Sequence, residues 1–160
     1  MMRTAELTGA LLDYWVARAD PQRAGIRWEQ QDADWIGFGR IGSSPEFACW
    51  IVTDAFGLHE RAALRDKHLS ARFYEPSKDW AQGGPILEKV LMLDAGSSAY
   101  YGLSNDGAGG FDVSKYHHGD HIRTLADGPT PLVTAMRAYV ASKYGDEVPA
   151  QEPGEQKGGA

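Results

Sequence analysis

Apolar positions recur at helical spacing near both ends of the chain and alternate with polar ones between. Leu11, Tyr14, Trp15 and Arg18 fall three and four residues apart. That spacing predicts a helix over 9–19 with an apolar face and the Arg18 stem at its edge. Thr8 stands at the N-cap position with Leu7 ahead of it, and Pro21 closes the element. The C-terminal pattern is better framed. Asp127-Gly128-Pro129 breaks the chain, Thr130 is placed to cap, and Pro131 takes the first helical position. Leu132, Ala135, Met136, Tyr139 and Val140 then make one face, and Gly145 supplies the left-handed stop.

Between these helices the pattern is mostly that of strands. Ile26 and Trp28 alternate with polar neighbours, 30–34 is polar, and Trp35, Ile36 and Phe38 resume the alternation. Residues 25–41 are therefore predicted to form a hairpin with its turn over Gln30 to Asp34. Gly42-Ser43-Ser44-Pro45 reads as a loop and Phe47 to Thr53 as an apolar strand. Leu58, Ala62 and Leu64 among alternating charges suggest a short exposed helix over 58–67. Leu69, Ala71 and Phe73 alternate into a further strand. Glu75 to Pro85 is rich in turn formers and reads as a loop broken by Trp80. Ile86 to Leu93 follows as a strand or as a short helix opened by Pro85. Ala99 to Leu103 and Phe111 to Tyr116 form a hairpin around the turn Asn105 to Gly110. The expected fold class is α+β: a mainly antiparallel sheet packed with an N-terminal helix and a C-terminal amphipathic helix. The expected domain covers 4–145, followed by a flexible polar tail over 146–160.

Composition narrows the function classes. The chain has 160 residues, 42% of them hydrophobic, which suits one domain with a real core. Its 22 carboxylates outnumber its 16 Lys and Arg, giving a net charge of −6 with no basic run, so duplex nucleic acid is not an expected partner. The single cysteine, Cys49, lies in an apolar run and reads as a core thiol. No N-terminal apolar region and no bilayer-length segment is present, so a cytoplasmic protein is expected, with no membrane partner.

Three blocks carry a family resemblance. They are Leu7-Thr8-Gly9-Ala10-Leu11-Leu12-Asp13, then Tyr74-Glu75-Pro76-Ser77-Lys78-Asp79-Trp80-Ala81-Gln82-Gly83-Gly84-Pro85-Ile86, then Gly128 to Leu132 with Ala135 to Lys143. In this order they resemble the NinX family of small phage and prophage proteins. The resemblance implies a phage or prophage gene product, and carries no activity or catalytic residues with it. The stretches 30–72 and 95–123 look longer than the family's pattern.

Two constellations bear chemistry. In Pro76 to Pro85, paired glycines permit close backbone approach, Trp80 offers a stacking face, and Asp79 and Gln82 offer hydrogen bonds. The expected ligand-binding set is Tyr74, Asp79, Trp80, Gln82, Gly83 and Gly84, with Arg137 as the cation, the closing helix forming the site's back wall. The competing reading has Trp80 pin a tight loop to the core while the glycines turn the chain. The second constellation is His117-His118-Gly119-Asp120-His121, whose imidazoles and carboxylate suit a divalent metal. It partly matches the metallo-β-lactamase signature, with Tyr116 where the first His belongs. Neither a phosphate-binding glycine loop nor a nucleophile elbow is present.

The expected function is binding without catalysis and without a cofactor: sequestration of a small, nucleotide-derived host molecule such as a defence signal. A metal-dependent hydrolase using His117, His118, Asp120 and His121 is the first alternative. A host-protein inhibitor is the second. Self-association stays open at this stage.

Overall fold

The structure is a computed structural model; it describes residues 1–21, 27–32, 48–53, 60–65 and 72–149. Among these residues three α-helices, α1 (Gly9–Ala19), α2 (Trp80–Leu91) and α3 (Pro131–Tyr144), pack with three small sheets. The sheets comprise β1 (Met2–Arg3) with β9 (Glu147–Val148), then β2 (Arg27–Asp32), β3 (Ala48–Thr53), β4 (Glu60–Arg65) and β5 (Arg72–Phe73), then β6 (Ala99–Asn105), β7 (Phe111–His117) and β8 (Asp120–Gly128). Strand pairing is antiparallel throughout except between β2 and β3. The α+β class is as the sequence indicated, with three sheets instead of one and a third helix.

Helix α1 lies between β3–β4 on one side and α3 on the other, and α3 in turn covers β7 and β8. This central position explains why α1 is buried nearly all round. Leu12, Tyr14, Trp15, Val16 and Ala17 are each at most 1% exposed, whereas Leu11, part of the expected stripe, is only half-buried. Thr8 precedes α1 in extended conformation, but its side chain makes no cap bond. Thr130 does cap α3, its hydroxyl accepting from the Val133 amide at 3.1 Å, with Pro131 beside it. Gly145 ends α3 at φ +84°, a conformation that favours glycine.

Four expectations need correction. Gln30 to Asp32 are strand, not turn, and β2 pairs in parallel with β3. Residues 35–41, the second strand of the expected hairpin, lie outside the described residues. Glu60–Arg65 is strand β4, not an exposed helix: Ala62, Ala63 and Leu64 are fully buried against α1 and β3. Three successive residues are buried, so both faces of the strand are covered at its centre. Pro85 sits in the sixth position of α2, not the first. Its missing N–H leaves the carbonyl of Ala81, an exposed residue, to solvent. Finally, the hairpin expected from 99–116 gains a third strand, β8, for which the pattern predicted no element.

Glu147–Val148, inside the segment read as tail, pairs with the N-terminus, and Val148 is fully buried. The Thr4 amide and hydroxyl donate to the Asp146 and Gly145 carbonyls at 2.8 Å each, joining the two ends of the domain.

Candidate functional site

The segment from Arg72 to Lys89 is built by hydrogen bonds that converge on its bend. Tyr74 continues β5, its amide donating to the Ala62 carbonyl at 2.9 Å. Glu75 then receives both Nε and a terminal nitrogen of Arg61 at 2.8 Å each, and the Arg61 guanidinium lies 3.4 Å from the Phe73 ring centre. These bonds hold the Glu75 carboxyl below its ordinary range. The turn at Pro76 to Lys78 follows, and its Ser77 amide donates 2.9 Å to the Asp13 carboxylate of α1. Asp13 is 1% exposed, and burial pushes its carboxyl up to about 7 against the opposing Ser77 bonds.

Asp79 begins α2, its carboxylate accepting from the Ala81 amide at 2.9 Å. One turn later Gln82 reaches back: its oxygen accepts from the Glu75 amide at 2.6 Å and its nitrogen donates to the Phe73 carbonyl at 3.1 Å. Gly83 is needed for contact. A Cβ there would run into the Pro76 carbonyl and come within 2.8 Å of Leu132 Cδ2 of α3. Gly84 has open space around it. The expected loop is thus the start of a helix, and its glycines do not line a loop. Asp79 caps α2, while Gln82 and Gly83 knit it to the strand before it and to α3.

A pocket of about 280 Å³ opens beside this junction, between α1, α2, α3 and β5. Its walls carry Val16 of α1 and Asp20 at its C-cap, Arg72 and Tyr74, Ala81, Gln82, Ile86 and Lys89 of α2, and Tyr139 of α3. Two of the residues expected to bind ligand, Tyr74 and Gln82, are there. Trp80 is 57% exposed at the start of α2 and is not part of this lining. α2 and α3 do meet, as expected, but Arg137 is not the wall between them. It donates Nε to the Leu7 carbonyl and a terminal nitrogen to the Asp127 carbonyl, both at 2.9 Å. Arg137 therefore ties α3 to the lead-in of α1 and to β8, and burial lowers its pKa from the usual arginine value.

Arg72, Lys89, Asp20 and Tyr139 escaped the sequence reading because they come from four elements. Lys89 carried one usable signal. It lies seven residues after Gln82, on the same face of a helix, but only once the helix is known to begin at Trp80. A second cleft, of about 790 Å³, lies between the β1–β9 pair and the end of α3. Leu125, Ala126 and Ala141 line it together with Arg3, Asp146 and Glu147, and it contains none of the expected site residues.

The histidine constellation is a tight turn. His118 and Gly119, at φ +51° and +86°, link β7 to β8, with His117 paired to Asp120 and Tyr116 to His121. His117 Nε2 lies 2.8 Å from the Ser98 hydroxyl, and His121 packs edge-on against Tyr116. Among the described residues no three His, Cys, Asp or Glu side chains are placed to hold a metal ion. The His117 and His118 rings meet edge-on with centroids 4.2 Å apart, beside the turn.

Fold and site together define a single-domain α+β protein with a small mixed-polarity pocket between three helices and a strand end. The family model described as Bacteriophage P22, NinX matches residues 3–143, and the chain belongs to that family of phage proteins. The match runs from β1 to the last turn of α3, so it includes the pocket and both stretches that had looked longer than the family's pattern. A comparison with curated proteins returned no match. Among the described residues no helix is long and apolar enough to cross a membrane.

Proposed function

We propose that this phage protein acts by binding, and that it sequesters a small anionic molecule of about mononucleotide size in the pocket beside α2. The carrying observation is that Arg72 and Lys89 line the same 280 Å³ pocket as Tyr74, Tyr139 and the apolar Val16 and Ile86. Two cations favour a phosphate or carboxylate, the phenol rings and aliphatic side chains favour a flat apolar body, and Asp20 favours a donor such as a sugar hydroxyl. The volume lies near the lower end of the range of about 300–1,000 Å³ usual for ligand sites. A single nucleotide or phosphorylated sugar matches it better than a cyclic oligonucleotide. That narrows the expected defence-signal chemistry to monomeric species.

The test has two arms. Protein purified from infected or lysogenic cells is heated, and the released small molecules are identified by mass spectrometry. Separately, nucleoside monophosphates and inorganic phosphate are titrated calorimetrically into wild type and an Arg72→Ala/Lys89→Ala variant. The reading expects binding that weakens at least about a hundredfold in the variant, as loss of two charge-assisted contacts implies. Binding that survives the double substitution, or no binding to any of these anions and no released molecule, counts against it.

A further inference from the structure

The three-stranded sheet has two edges, and they differ. β8 is blunted as natural edges usually are. It carries Asp120, Arg123 and Asp127, its pairing with β7 shifts register twice, and the turn at Thr4–Glu6 lies against it. β6 is less protected: the Ser97 hydroxyl bonds the amide and carbonyl of Ala99 at its first position, and α2 packs on it. Ala99-Tyr100-Tyr101-Gly102-Leu103-Ser104-Asn105 contains no charge and no proline, and its seven residues pair with β7 without a register shift. Among the described residues β6 has no partner on its other side. Beyond Ala99 the edge is uncharged and regular, a template for another strand.

The helix above this edge is also unfinished. α2 packs on α3 and on β6. Trp80, Gly84, Leu87 and Leu91 fall on one face by helical spacing. Trp80 is 57% exposed, Leu91 37% and the following Met92 61%. Among the described residues a strand edge and an apolar helix face thus both lie uncovered on one flank of the domain.

We infer that this flank binds a second copy of the chain, with β6 pairing antiparallel to β6 of the partner and α2 packing against its counterpart. A twofold copy satisfies both layers at once, which a lone foreign strand does not. β6 is also self-complementary. A register centred on Gly102, the strand midpoint and the only position without a Cβ, opposes Tyr101 to Leu103 of the partner subunit on one face. On the other face it opposes Tyr100 to Ser104 of the partner subunit, with no like charges anywhere along the seam. Covering the strand edge together with Trp80, Leu91 and Met92 in both copies removes on the order of 1,000 Å² from water, the level at which specific interfaces begin.

Sedimentation equilibrium over a concentration series tests this with the full chain. Wild type is expected to be a dimer. Leu91→Glu/Met92→Glu and, separately, Tyr100→Lys/Ser104→Lys are expected to raise the dissociation constant by roughly tenfold or more. Tyr100→Glu/Ser104→Lys, which sets opposite charges across the same seam, is expected to keep the dimer. Amide exchange of wild type at high and low concentration gives a readout that needs no variant: protection along β6 must rise with concentration. A monomeric wild type, a dimer indifferent to Tyr100→Lys/Ser104→Lys, or unchanged β6 protection overturns the inference. So does a monomer that instead captures a foreign strand.

Discussion

The Ser77 amide donates 2.9 Å to the buried carboxylate of Asp13, a contact that spans 64 positions in sequence. Both residues belong to the segments that mark the family resemblance, and the bond joins the central helix to the bend from which α2 springs. It fixes where Val16 on α1 faces Gln82 and Ile86 on α2 across the pocket.

Asp13 gives the fold a pH dependence of defined sign. An unfolded aspartate titrates near 4, whereas Asp13 in the fold holds its proton up to about 7. Between these values the native state binds more protons, so this residue's contribution to stability falls as pH rises from about 4 to 7. Asp13→Asn keeps an oxygen for the Ser77 amide and removes the titration. Denaturant unfolding of the variant across that window should show a flatter profile, the difference from wild type reaching a few kcal/mol at most. Glu75 acts oppositely. Its carboxyl is held low by Arg61, so its contribution is present above the ordinary carboxylate range and is lost as pH falls below it.

The two adjacent glycines of α2 should respond differently to the same substitution. Gly83→Ala forces a methyl group against the Pro76 carbonyl and Leu132, and is expected to cost about 2 to 3 kcal/mol. Gly84→Ala meets nothing within 4 Å and restores helix propensity, for a gain of about 0.5 to 1 kcal/mol. Equilibrium unfolding in urea separates the two. Equal effects would show that the helix does not continue through both positions.

Arg137→Met should destabilise the domain by about 2 to 3 kcal/mol, since the Leu7 and Asp127 carbonyls lose charged donors. Nucleotide affinity in the folded fraction should stay unchanged, because Arg137 is absent from the pocket lining. A selective loss of affinity with stability intact would reinstate it as a ligand residue.

The β7–β8 turn offers a check on metal binding. His118 holds φ +51° ahead of Gly119, where asparagine fits better than histidine. His118→Asn should raise stability by a few tenths of a kcal/mol. Added zinc should leave the melting temperature of wild type unchanged, as no three-ligand group exists among the described residues. A zinc-dependent rise abolished by His118→Asn would refute this.

Local signals carried the sequence reading where they were self-contained. Thr130, Pro131 and Gly145 frame α3 through their own backbone preferences, and the turn from Asn105 to Gly110 needs only its own residues, its side chains bonding the amides of Gly107 and Ala108 at 2.7 Å. The chain also determined by itself the α+β class, the family resemblance and the distinctiveness of the Trp80 segment. Tertiary structure decided the rest. Glu60–Arg65 became a strand because β3 and α1 bury it, which outweighs a weak helical pattern. The Trp80 segment became a helix start because, beside the local Asp79 cap, Gln82 and Asp13 have their partners within reach only once β5, α1 and α2 are assembled. The pocket draws Asp20, Arg72, Lys89 and Tyr139 from four elements, and no spacing along the chain encodes their meeting. Short-range backbone chemistry is written locally; burial and convergence depend on which distant segments the core brings together.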